Sequence, residues 1–288
     1  MKNRKVLRIF AASTAILLTA LTASCSNNKP AEEATVTAAA DTVPATLAAT
    51  EAPTAPPTQA PLAPGEVAQG EIVTEDGVTR CYVNGVPQVD TVAGNDVDGY
   101  FYFGSDGTVA SNYCDGINVN ENDWIIIEGN AYRVETDSDK CLFTAAQDIG
   151  KCTDTGMSRE DKLKAGFDYI KENYLEGVLH DPPYSYAEED WPVVCANDIF
   201  VYGKGDCYSY GAAFAYYAKA IGYSEVYAVN SGGHGWTEVE ERTYDPEWSM
   251  HSNNYSYYGM RYDEECDVPY AFAIENETDL KRRRIYIN

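Results

Sequence analysis

The stretch GKGDCYSYGAAFAYYAKAIGY, residues 203–223, admits few conformations. Gly203 and Gly205 make a flexible approach, and Asp206 belongs to the residue types that cap a helix N-terminus. Tyr210, Phe214, Tyr217 and Ile221 then recur at helical spacing and end at Gly222, so one apolar stripe has to be packed. Such a helix leaves Cys207 in its first turn, where unpaired amide N–H groups and the helix dipole favour a thiolate. A cysteine so placed serves as a disulfide half, a buried filler or a nucleophile, and its partners decide among these.

A nucleophilic sulfur needs a base, and the chain has three histidines, His180, His234 and His251. His234 opens the alternating segment HGWTEV and is flanked by Gly232, Gly233 and Gly235, which keep the backbone narrow. If Glu240 and Glu241 form a two-residue turn, Asp245 pairs opposite Trp236, on the face of His234 and diagonal to it. A slip of one residue would destroy that arrangement. The relay so inferred is Cys207 as nucleophile, His234 as general acid and base, and Asp245 as orienter. His180, in LHDPPY, and His251, in a polar Tyr/Asn loop, read as surface or structural residues. Without His/Cys spacing of the zinc type, neither a metal nor a cofactor is expected.

Around these blocks, Ser158 is a helix cap, Glu160 and Asp161 occupy a first turn, and Leu163, Phe167, Ile170 and Tyr174 follow at helical spacing before Gly177. Helix, helix and then strands (SEVYAVN, HGWTEV, RTYDPEW) predict an α+β layer structure over 153–288.

Taken together, GKGDCYSYGAAFAYYAKAIGY, HGWTEV and YDPEW resemble the three blocks of the transglutaminase-like superfamily, over about 158–288. That resemblance implies a papain-related α+β fold and the catalytic roles named above for Cys207, His234 and Asp245. It further implies a peptide or protein substrate and acyl transfer through a thioester on Cys207. Crosslinking members carry glutamine before the nucleophile, where this chain has Asp206, which shifts the expectation to a peptidase or amidase. A protein-glutamine acyltransferase and a non-catalytic surface or cell-wall binding protein are the alternatives. For the oxyanion, the Cys207 N–H needs a second donor, for which Trp191 and Tyr202 are the candidates.

Upstream, Lys2, Arg4, Lys5 and Arg8 precede an apolar stretch at 9–21 too short to span a bilayer, which reads as an export signal. Its end, LTASC, resembles a bacterial lipoprotein lipobox and implies lipidation of Cys25, although Thr22 stands where leucine is usual. Residues 1–25 are thus the leader, and the Ala/Thr/Pro-rich stretch 26–70 reads as a disordered tether. Expected localisation is the outer face of the cytoplasmic membrane, held by the lipid, or otherwise outside the cell. Removing the leader takes away four basic and no acidic residues, so the net charge of −24 becomes −28. That charge opposes nucleic acid as a partner.

Residues 71–152 read as a small β-rich module. Gly85, Gly107 and Gly129 recur 22 residues apart after Asn84, Asp106 and Glu128, a candidate repeat of hairpin turns. The stretch resembles cell-wall or glucan-binding repeats, which implies a polysaccharide or peptidoglycan partner, with Trp124 its one tryptophan. Of eight cysteines, Cys25 is assigned to lipid, and the remaining odd number demands at least one free or interchain thiol. Cys195 and Cys266, which flank the core, are expected to form a disulfide.

Overall fold

The computed structural model describes residues 61–180, 190–231, 233–267 and 283–288, all within one compact unit. The leader, Cys25 and the tether up to residue 60 lie outside them. Among the described residues no helix is long and apolar enough to cross a membrane.

The end of the expected tether is ordered. The Asn120 amide donates to the carbonyls of Ala63 and Glu66, and that of Asn122 to Gly65. These bonds pin the chain ahead of β1 (Ala68–Gln69), which pairs in parallel with β5. After β1 come β2 (Glu71–Glu75), β3 (Val78–Val83) and β4 (Val86–Pro87), a three-stranded meander. Then β5 (Thr91–Asn95), β6 (Gly99–Phe103), β7 (Asp115–Val119), β8 (Asn122–Ile127) and β9 (Asn130–Arg133) join β1 in a six-stranded sheet, order β1-β5-β6-β9-β8-β7. Asn84-Gly85 and Glu128-Gly129 turn these hairpins with both residues at positive φ, as two-residue turns that match strand twist require. The three evenly spaced glycines all lie at positive φ, yet Gly85 turns the three-stranded meander, Gly129 turns the six-stranded sheet and Gly107 lies in a loop closed by the Phe103–Val109 bridge, so they do not mark equivalent stacked units. Trp124 is 1 % exposed, packed with Val92 and Ile126 beneath the guanidinium of Arg133, so it is a core residue and offers no stacking surface to a ligand.

The β texture stops at Arg133. Helix α1 (Asp137–Cys152) follows, begun by a reciprocal capping box between Thr136 and Asp139. Its buried Cys141, Leu142, Ala145, Ala146 and Ile149 lie at helical spacing, so this stretch, read above as the end of the β-rich module, belongs to the main helical core. Helix α2 (Arg159–Asn173) starts at the Ser158 cap, as its sequence predicts. The short β10 (Leu175–Glu176), helix α3 (Trp191–Tyr202) and β11 (Lys204–Gly205) lead into α4 (Cys207–Ala220). Then come β12 (Val226–Asn230), β13 (Gly235–Val239), β14 (Arg242–Tyr244), helix α5 (Pro246–His251), β15 (Tyr258–Met260) and β16 (Arg283–Tyr286). Strands β12 to β16 form an antiparallel sheet in the order β15-β14-β13-β12-β16. The chain is therefore α+β.

Helix α4 is the hub. One stripe was expected to be buried, but every residue from 208 to 218 is inside. The reason lies in the residues between the aromatics: Ala212, Ala213, Ala215 and Ala218 let α1, α2 and α3 close on one side while β12 and β13 close on the other. A helix apolar on every face is stable only when so enclosed.

Cys195 and Cys266 are not joined. Cys195 is a buried thiol in α3, within the helical core, whereas Cys266 packs in the separate cluster around Trp236 and Tyr257. Flanking a core in sequence carries no information about the Cβ geometry a disulfide demands.

Candidate active site

Three glycines bring the parts of the site together. Gly203 ends α3 at φ 73°, in the left-handed region, and turns the chain into β11, which pairs with β10 and delivers Asp206. A Cβ on Gly211 would lie 2.8 Å from Trp236 Cα, and one on Gly235 would lie 2.8 Å from Tyr208 Cα. Helix α4 and strand β13 thus touch backbone to backbone, and the Thr237 hydroxyl donates to the Gly211 carbonyl at 2.5 Å. That contact sets the start of α4 against the start of β13, where Cys207 and His234 lie.

Cys207 occupies the first position of α4 and is a half-buried thiol. Asp206 caps the helix, its Oδ1 accepting from the N–H groups of Tyr208 (3.0 Å) and Ser209 (3.2 Å). The Cys207 N–H itself lies among the helix's first, orphan donors.

His234 precedes β13, and its carbonyl accepts from the Ser231 N–H at 3.0 Å. Glu240 and Glu241 form the hairpin turn with φ of 45° and 66°, and pair Thr237 with Tyr244. Continued by one residue, that register sets Asp245 opposite Trp236 on the His234 face, as the two-residue turn predicts. Asp245 is 1 % exposed and bonds His234 Nε2 through Oδ2 at 2.5 Å. Its Oδ1 caps α5 by accepting from the Trp248 N–H at 2.9 Å, while its own N–H donates to the Tyr257 carbonyl. With Nε2 so engaged, Nδ1 is the nitrogen left for Cys207, whose sulfur is in electrostatic contact with the ring. Cys207, His234 and Asp245 are therefore brought together, in that order.

The electrostatics follow from burial and charge. Enclosure of His234 works against an imidazolium, but the adjacent Asp245 carboxylate and Cys207 sulfur outweigh it and push the ring's pKa up to about 10. The surroundings of the ring thus favour the imidazolium.

The two oxyanion candidates part company. Trp191 is buried at the start of α3, edge-on to Tyr208, and its indole Nε1–H is buried without a hydrogen-bond partner among the described residues. Tyr202 ends the same helix 63 % exposed, in water, where a donor gains little from low dielectric.

Two features went unread in the sequence. Trp248 lies flat on the His234 ring, and Trp236 donates through Nε1 to the Tyr262 hydroxyl at 2.9 Å, which in turn bonds the buried Glu238. The Asp-Pro-Glu-Trp spacing, a helix cap with an aromatic three residues on, was the available signal for the first. A further cluster, Glu176, Glu247 and His251, has the donor types for a metal ion. The chain matches no protein-family model, no curated protein and no solved structure.

Proposed function

We propose that this chain is an exported, lipid-anchored cysteine enzyme of the transglutaminase-like kind, which hydrolyses peptide or amide bonds through a thioester on Cys207. The observation that carries this reading is the contact chain Cys207–His234–Asp245 at a capped helix N-terminus. A central helix packed on an antiparallel sheet supports the papain-like core that the resemblance implies.

The sulfur of Cys207, its proton on His234 Nδ1, attacks the substrate carbonyl carbon. The resulting oxyanion is met by the Cys207 N–H, and the candidate for the second donor is the Trp191 Nε1–H, which is buried with no hydrogen-bond partner among the described residues. As the C–N bond breaks, Nδ1–H protonates the leaving amine and a thioester remains. Water then gives a proton to Nδ1 and attacks the thioester, and the C–S bond breaks to release the acid and leave the sulfur a thiolate beside the imidazolium. Asp245 holds Nε2 throughout and keeps the tautomer. An amine in place of water would make the enzyme a transferase. The expected wall ligand of the β-rich segment forms no part of this reading, because Trp124 is buried.

The test is to incubate the protein with a library of peptide amides and record intact mass, with and without a labelled primary amine. The reading predicts an acyl adduct on Cys207 that resolves to free acid and is absent in Cys207→Ser. Stable protein without adduct or product across the library would contradict it, and label in the product would assign a transferase.

A further inference from the structure

Beside the triad, helix α5 carries a second group of ligating side chains. Glu247 and His251 are four residues apart and so share one helix face, while Glu176 reaches them from β10, the partner of the strand that leads into Cys207. One ligating atom from each of the three lies within 4.8 Å of the others. His251 Nε2 pairs with Glu176 Oε1 and stands 3.5 Å from Glu247 Oε1. The other Glu247 oxygen, Oε2, is buried with no hydrogen-bond partner among the described residues. One imidazole N–H thus serves two carboxylates and leaves a buried oxygen unmet, an arrangement short of positive charge.

We propose that Glu176, Glu247 and His251 form a binding site for a divalent cation of the zinc class, adjoining the Cys207–His234–Asp245 relay. One imidazole and two carboxylates suit zinc, with water completing a tetrahedron, whereas calcium and magnesium favour oxygen-only shells. The site ties β10 to α5, whose first turn Asp245 caps. Glu247 is in electrostatic contact with both His234 and Asp245, so a cation there opposes the imidazolium of the relay and damps the reactivity of the sulfur.

Binding is read without turnover, so it stands or falls separately from the enzymatic reading. In the Cys207→Ser chain, which lacks the competing sulfur ligand, calorimetry with zinc chloride should give one site per chain. Glu247→Gln and His251→Ala should each weaken it at least about tenfold, and cobalt in the same site should show visible bands without thiolate charge transfer. In the native thiol chain, zinc should slow iodoacetamide labelling of Cys207 severalfold, and His251→Ala should abolish that effect. Unchanged zinc affinity in both variants, thiolate bands with cobalt, or equal slowing in His251→Ala would overturn the proposal.

Discussion

Trp248 lies face to face on His234, with ring centroids 3.8 Å apart and planes 14° from parallel. Its backbone N–H is also held by Asp245, so one residue fixes both the carboxylate and the ring it orients. Trp248→Ala should therefore lower kcat by about 10- to 100-fold with KM little changed, since misplacement of the imidazole is felt in the reaction rather than in binding. Trp248→Phe should recover most of the rate. Steady-state kinetics on the substrate found by adduct mapping check this, and equal rates in the Ala variant would remove Trp248 from the site.

Asp245→Asn tests the charge that sustains the imidazolium. The folded-state pKa of His234 is raised from 6.5 to about 10. Its contribution to stability is accordingly complete below about 6.5 and is lost as pH rises through about 10. In Asp245→Asn the imidazole should titrate well below the parent value, and the rate should fall by about 10²- to 10⁴-fold through loss of the correct tautomer. Imidazole NMR titration follows the first effect and kinetics the second. A His234 pKa that does not move would contradict the assignment.

Trp191→Phe keeps an aromatic ring but deletes the buried donor together with the pyrrole half of the indole. It should reduce kcat by about 10²-fold with little change in KM, beside a loss of stability from the cavity left in the core. A parent-like kcat would exclude Trp191 Nε1 as the second oxyanion donor. Tyr202→Phe should leave the rate unaltered, given that residue's exposure.

Gly211→Ala would place a methyl 2.8 Å from the Trp236 backbone. Separating α4 from β13 should cost about 1–3 kcal/mol, read as a lower urea midpoint, and should also slow alkylation of Cys207 by moving it from His234. A midpoint unchanged from the parent would mean that the two backbones are less closely apposed than described.

Much of the site is local in the chain and was legible there. The Asp206 cap, the helix behind Cys207 and the two-residue turn at Glu240 and Glu241 are short-range features, and the turn alone sets the Asp245 register. The rest depends on distant segments meeting. Helix α1 is hard to read because its buried face has only two large aliphatics, Leu142 and Ile149, set among Cys141, Ala145 and Ala146, although Thr136 and Asp139 announce its start. No spacing predicts that Glu176 in β10 will approach His251 in α5. Cys195 and Cys266 were paired on position alone, and the packing assigns them to different clusters.

The most direct measurement is the rate at which iodoacetamide labels Cys207 in the folded, unreduced protein at neutral pH, compared with His234→Ala and located by peptide mass. If the imidazolium holds the sulfur as a thiolate, the parent reacts at least about tenfold faster than the variant. Equal rates in the two proteins, or a Cys207 that resists labelling in both, would contradict the account.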